Sequence, residues 1–210
     1  MIKGIKGAIF DLDGVIVDTA KYHYLAWKRL ANELGINFTE EQNERLKGVS
    51  RMKSLEILLD IGGLKLKEEE KVALAAKKNE WYVGFVKNMD KSEILTGARE
   101  YLEKLRAEGV RIALGSASKN AVMILKNLEI VNLFDVIIDG NKVSKAKPDP
   151  EVFLTAAKEL GLKSEECVVF EDAEAGIEAA KSAHMKVIGI GDISTLDKAD
   201  KVIKGVYELL

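Results

Sequence analysis

The chain has 210 residues, 47% of them hydrophobic and 31% charged, with a net charge of −2. That balance suits a globular protein of one large domain, or a core domain with an insert, and disfavours a disordered chain. The lack of a basic block disfavours a nucleic-acid partner, and a single cysteine, Cys167, rules out an intramolecular disulfide.

The first apolar strand is expected at residues 8–12 and runs into Asp11-Leu12-Asp13-Gly14. Alternation along a strand would bring Asp11 and Asp13 out on the same side. From about residue 19 to residue 91 the pattern is helical, with no convincing strand. Segments 22–34 (stopping at Gly35), 54–59 (stopping near Gly62-Gly63) and 68–86 read as helices, and Lys67-Glu68-Glu69-Glu70-Lys71 as a solvated helix start. A helix at 98–108 carries Leu102 and Leu105 and stops at Gly109. Strand 111–115 then leads into Ser116-Ala117-Ser118. Helix 120–128 follows a Ser118 start signal, and strand 136–138 comes next. Helix 151–160 follows Asp149-Pro150 and stops at Gly161. Strand 168–170 ends in Glu171-Asp172; helix 175–183 and strands 187–190 and 201–203 close the chain, leaving room for only a short last helix. Cys167 sits in an apolar run and reads as a small core residue, compatible with a reducing cytoplasm. No apolar run reaches the length of a membrane span, and Lys3, Lys6 and Asp11 break up the amino-terminal stretch, so neither a membrane anchor nor a signal peptide is expected. A cytoplasmic monomer is the expectation.

Short, nearly continuous apolar strands alternating with helices predict an α/β fold, a Rossmann-like parallel sheet flanked by helices on both faces. Residues 1–16 and 93–210 would form this core, and residues 17–92 a helical cap inserted after the first strand, with hinges near 15–18 and 91–95. Ligands in such sheets bind beyond the carboxyl ends of the strands, where Asp11, Asp13, Ser116, Glu171 and Asp172 fall. Ser116 and Asn120 supply donors near a helix start, which favours phosphate. Lys147, in Lys147-Pro148-Asp149-Pro150, supplies a cation, and the carboxylates suit a hard, oxygen-liking metal such as Mg²⁺. Together these are the parts of a phosphoryl-transfer site. Residue types alone leave other readings open. Asp-Gly is a common turn signal; Thr19 could cap a helix, His23 pack half-buried, and Lys78, Lys147 and Arg51 sit in solvent or in surface ion pairs. Trp27 reads equally as a sugar contact or as a core aromatic. Met52 and Met123 read as packing, and His184 as a cation near a helix C-terminus.

The motifs Asp11-x-Asp13-Gly14, Ser116, Lys147-Pro148 and Glu171-Asp172 with Ala175-Gly176-Ile177 resemble those of the haloacid dehalogenase-like superfamily. Asp18-Thr19-Ala20 with His23 and Trp27, Leu46-Lys47-Gly48-Val49-Ser50-Arg51, Lys78-Asn79 and Ser116-Ala117-Ser118-Lys119-Asn120 are similar to those of its phosphohexomutase branch. That resemblance implies interconversion of β-D-glucose 1-phosphate and glucose 6-phosphate through an aspartyl phosphate and β-glucose 1,6-bisphosphate. It implies Asp11 as nucleophile and Asp13 as general acid/base, with Thr19, His23 and Lys78 linking cap closure to the position of Asp13. Gly48, Arg51, Ser116, Ala117, Ser118, Lys119, Asn120 and Lys147 would bind phosphate and sugar. Mg²⁺ would sit among Asp11, the backbone carbonyl of Asp13, Glu171 and Asp172. The alternative on the same core is a Mg²⁺-dependent sugar phosphatase; a non-catalytic phosphosugar binder would gain nothing from two adjacent carboxylates. Residues 139–145 have no functional match in that pattern, although Lys142 and Lys145 add positive charge near the expected site.

Overall fold

The apolar segment Gly7–Phe10 forms β1 and is buried along its whole length. The structure, a computed structural model, describes residues 4–210, so Lys3 lies outside the described residues. β2 (Arg111–Gly115), β3 (Val136–Ile138), β4 (Cys167–Glu171), β5 (Lys186–Ile190) and β6 (Lys201–Ile203) complete one sheet. Every pairing is parallel and the order is β3-β2-β1-β4-β5-β6. The direction of winding reverses between β1 and β4, which opens a crevice at their carboxyl ends.

Alternate strand residues feed two different cores. Ala8 and Phe10, with Ile112, Leu114, Val168 and Phe170, pack against α5 (Ala98–Ala107) and α6 (Ala121–Asn127). Ile9, Ala113, Cys167, Val169 and Val187 pack on the other face against α7 (Glu151–Leu160) and α8 (Glu174–Ser182). Fully buried strands therefore read as unbroken apolar runs, as expected. Cys167 is the small core residue anticipated.

Between β1 and β2 the chain forms α1 (Ala20–Glu33), α2 (Glu40–Asn43), α3 (Arg51–Ile61) and α4 (Glu68–Val86). Trp27, Leu30, Phe38, Leu46, Leu55, Leu58 and Ala75 give these helices an apolar cluster of their own. Val17 bridges both Asp13 and Ile94, and the Leu95 N–H donates to the Ile16 carbonyl at 3.0 Å, so the two crossings out of the sheet lie side by side. Among the described residues no helix is long and apolar enough to cross a membrane.

Some expectations need correction. β1 ends at Phe10, not residue 12: the Asp11 N–H still donates to the Phe170 carbonyl, but Leu12 turns the chain, its carbonyl accepting from the Ile16 and Val17 N–H groups. A turn, not strand alternation, therefore sets Asp13. Thr19 precedes α1 without a side-chain cap bond. Ser118 accepts from the Asn120 N–H in a turn ahead of α6, and Asn120 holds the capping position without a side-chain bond. Pro150 occupies the cap of α7, one residue after Asp149, whose side chain accepts from the Glu151 N–H.

Candidate active site

Lys147 lies at the centre of the β1/β4 crevice, 3% exposed. Its Nζ is 2.6 Å from Asp11 Oδ1 and 3.2 Å from Glu171 Oε2, and it stands 4.9 Å from the Phe153 ring centre. Burial alone would lower its pKa; the two carboxylates outweigh that and raise it. Lys147 is therefore a permanent buried cation, and the solvated reading fails. Asp11 follows β1, and Glu171 ends β4 with Asp172 next, so these two adjoining strands bring the three carboxylates together. One oxygen from each lies within 4.8 Å of the others. Burial and the neighbouring Asp11 push Glu171 well above the usual carboxylate range and Asp172 up to about 7. Glu171 Oε1 is buried without a hydrogen-bond partner. Clustered, desolvated carboxylates with an orphaned oxygen fit a hard divalent cation. Gly176 belongs to the same site: a Cβ there would stand 1.8 Å from Glu171 Oε1.

Asp13 is half-buried, and its Oδ1 is enclosed without a partner. Burial first, then Asp11 and Asp172, hold its pKa well above the ordinary value, which favours a protonated carboxyl able to donate a proton.

The helical segment supplies the facing wall. Lys78, on α4, is 2% exposed; its Nζ lies 2.8 Å from His23 Nδ1 on α1 and sits 4.5 Å from the Trp27 ring centre. Burial, then Arg51, pull Lys78 well below its usual pKa; burial, then Lys78 and Arg51, do the same to His23. Burial beside the Lys78 amine disfavours the charged form of the His23 imidazole. Thr19 is fully buried. The solvated reading of Lys78 fails because α4 turns this lysine inward among aromatic rings.

A cavity of about 500 Å³ lies between the two walls, within the size range of small-molecule sites. Asp11, Asp13, His23, Gly48, Arg51, Lys78, Ser116, Ala117, Ser118, Lys119, Asn120, Lys147 and Asp172 all line it. Thr19 and Glu171 stand behind it. Asn120 Nδ2 donates to Asn79 Oδ1 at 3.0 Å, tying the α6 start to α4 across the cavity. Of the two unplaced lysines, Lys145 lines the cavity and Lys142 does not. Trp27 fills the helical core, as one of its readings expected, and also touches the cavity.

Residues 8–190 match the family described as haloacid dehalogenase-like hydrolase. The chain belongs to the haloacid dehalogenase-like hydrolase family. Among its relatives in that family, the β-phosphoglucomutase of Bacillus subtilis (strain 168) is 44% identical, over 98% of this chain and 92% of its own. The phosphorylated carbohydrates phosphatase of Thermotoga maritima is 34% identical over 88% of this chain and 84% of its own. A solved β-phosphoglucomutase from Clostridium difficile superposes with a TM-score of 0.94 at 44% identity, covering 98% of this chain and 93% of that one.

Sequence reasoning missed several residues of this haloacid dehalogenase-like site. Asn79 enters the sequence pattern only through the Lys78-Asn79 motif, with no role of its own, although its place beside Lys78 puts it on the same helix. Tyr82 is one turn beyond Lys78, the i+4 signal that could have found it; its ring lies 4.0 Å from that of His23. Asn43 lines the cavity with a partnerless Oδ1, and no sequence signal pointed to it.

Proposed function

We propose that this chain is a phosphohexomutase that interconverts β-D-glucose 1-phosphate and glucose 6-phosphate. The observation that carries it is the cavity itself: a helical wall bearing Arg51, Lys78 and Asn79 faces the Asp11–Lys147 pair and encloses it, as a reaction that must keep water off a phosphorylated carboxylate requires. The similarity to the Bacillus subtilis β-phosphoglucomutase spans both walls. On this reading residues 1–16 and 93–210 act as the core domain and 17–92 as the cap, hinged where Val17 pairs with Ile94.

Asp11 attacks phosphorus and becomes an acyl phosphate, while the raised pKa of Asp13 suits it to protonate the departing sugar oxygen. Asp13, now ionised, takes the proton from the free O6 hydroxyl of β-glucose 1-phosphate as phospho-Asp11 hands its phosphoryl group to that oxygen; the resulting β-glucose 1,6-bisphosphate reorients, and Asp11 takes the phosphoryl group from O1 while Asp13 returns the proton to that oxygen and glucose 6-phosphate leaves. Ser116 and Lys147 hold the transferring group. Arg51, with its planar fork, and Ser118, Lys119 and Asn120 hold the distal phosphate, and Gly48 and Ala117 offer backbone without bulk. Thr19, His23 and Lys78 couple cap closure to Asp13. Asp11, Glu171 and Asp172, with the Asp13 carbonyl, would hold Mg²⁺, which supplies charge neutralisation at the phosphoryl group.

Phosphorus NMR of the protein with β-glucose 1-phosphate, Mg²⁺ and a trace of β-glucose 1,6-bisphosphate tests the proposal. Glucose 6-phosphate is the expected product. Inorganic phosphate in its place overturns the proposal and favours a sugar phosphatase, the activity in the name of the Thermotoga maritima relative.

A further inference from the structure

Residues 139–145 have no counterpart in the sequence pattern, yet the structure sets the first of them against the loop that follows β2. Ser116 leaves β2 with its N–H donating to the Ile138 carbonyl at 3.0 Å, at the end of β3. Beyond it, Ala117, Ser118, Lys119 and Asn120 line the cavity. The Gly140 N–H donates to the Ser118 carbonyl at 3.2 Å, and Asn141 Nδ2 donates to the Lys119 carbonyl at 3.0 Å. Asp139, 5% exposed, holds Asn141 in turn: its two carboxylate oxygens accept from the Asn141 N–H and Nδ2, each at 3.0 Å. Both hydrogens of the Asn141 amide are thus in use. Gly140 lies so close to the loop that a Cβ there would stand 2.3 Å from the Ala117 carbonyl oxygen. The contacts fall on three successive carbonyls, those of Ala117, Ser118 and Lys119.

We propose that Asp139, Gly140 and Asn141 form a brace that fixes the distal-phosphate loop, with Asn141 as a positioning residue for Ser118, Lys119 and Asn120. A carbonyl oxygen repels an anion, whereas a backbone N–H attracts one. In a trans peptide the two point in opposite directions. Tying the Ser118 carbonyl to Gly140 therefore turns the Lys119 N–H away from Gly140. Tying the Lys119 carbonyl to Asn141 does the same for the Asn120 N–H, which Ser118 Oγ accepts at 3.2 Å. The loop thus meets a phosphate with its carbonyls already withdrawn and loses little freedom on binding. Without the brace these peptides are free to rotate and set oxygens against the anion. The proximal group is held by other means, Ser116 by its bond to Ile138 and Lys147 by Asp11 and Glu171. The brace bears on the second phosphate of a sugar bisphosphate and not on the group in transfer. The inference rests on the distal-phosphate assignment proposed above and adds the residues that shape that subsite.

The test compares two phosphate compounds. Acetyl phosphate carries one phosphoryl group and uses the proximal site alone; β-glucose 1-phosphate entering the phosphorylated protein places its own phosphate in the distal one. Asn141→Ala should raise KM for β-glucose 1-phosphate about threefold to tenfold, the worth of a lost hydrogen bond, with kcat changed less than about twofold. Asn141→Asp keeps the shape but loses both amide hydrogens and faces Asp139, so it should raise KM at least as much. Gly140 does not have a left-handed φ, so Gly140→Ala tests the close approach by space alone and should raise KM as well. Phosphorylation of Asp11 by acetyl phosphate, followed by phosphorus NMR, should stay within about twofold of the parent in each variant, which also shows that the variants fold. Unchanged KM, a loss confined to kcat, or equal losses with both compounds would each overturn the proposal. Arg51→Ala, on the opposite wall, separates the two readings. If it leaves KM unchanged, the distal-phosphate assignment falls and this inference with it. If it raises KM while Asn141→Ala does not, only the inference falls.

Discussion

A lysine buried between two carboxylates contributes function at a cost in stability, because desolvating three charges offsets much of their attraction. Lys147 is held that way by Asp11 and Glu171. Removing it leaves two carboxylates facing each other without a cation. Lys147→Ala should therefore lower both the melting temperature and the turnover rate, the latter by about a hundredfold or more, as expected when a charge opposite a transferring phosphoryl group is lost. Parental kinetics in that variant would remove Lys147 from the site. Asp11→Asn should abolish both turnover and the phosphoenzyme, and a fully active variant would exclude Asp11 as nucleophile. The carboxylates also set a pH dependence. Asp172, at about 7, and Glu171, also raised, bind protons in the folded protein that the unfolded chain would have released. Their contribution favours the metal-free fold at low pH and is lost as pH rises through about 7. His23, held below its usual pKa, acts in the opposite sense, so the metal-free melting curve mixes the two. The increment in melting temperature on adding Mg²⁺ isolates the ligands, since the cation must displace their protons. That increment should grow from pH 6 to pH 8; a flat one would show that Asp172 and Glu171 are not the ligands.

Elements fix where these side chains stand, and much of that was legible. β2, β3 and β6 begin and end where an apolar run meets its turn residues, as do α4 and α7. The end of β1 was not, because Leu12 is apolar like a strand residue while its carbonyl closes a turn on Ile16 and Val17. α2 was missed although Thr39 and Gln42 make a capping box: four residues give no periodicity to read. The separation of Asp11, Lys147 and Glu171 along the chain hid their ion pairs; only the pairing of β1 with β4 brings Asp11 and Glu171 together. The inward turn of Lys78 was hidden as well, since apolar residues such as Val72 and Phe85 stand exposed on α4 and blur which face is buried. α8 offers a test at this scale. Gly176 leaves room for the Glu171 carboxylate, and alanine would place a Cβ 1.8 Å from its Oε1. Alanine is the better helix former, so Gly176→Ala should fold yet bind Mg²⁺ more weakly by displacing Glu171. Unchanged affinity in a calorimetric titration would mean that Glu171 adjusts freely or does not bind the metal.

At the scale of the whole molecule, mutase and phosphatase differ in whether the two walls stay shut around a phosphorylated Asp11. The seam is narrow where Gly48, at φ +70, meets Ala173: a Cβ on Gly48 would stand 2.8 Å from the Ala173 side chain. A larger residue there is strained by its backbone and blocked by its neighbour. The Asn79–Asn120 hydrogen bond closes the same cavity from another side. Gly48→Val should hold the walls apart without touching Asp11, Lys147 or the carboxylates. Phosphorylation of Asp11 by acetyl phosphate should then persist, while the phosphoenzyme loses its phosphate to water faster than in the parent and glucose 6-phosphate formation falls. Phosphorus NMR reads both products in one sample, so the ratio of inorganic phosphate to glucose 6-phosphate measures the seam. If Gly48→Val lowers both products equally and leaves their ratio as in the parent, closure at this contact does not decide between transfer to sugar and transfer to water.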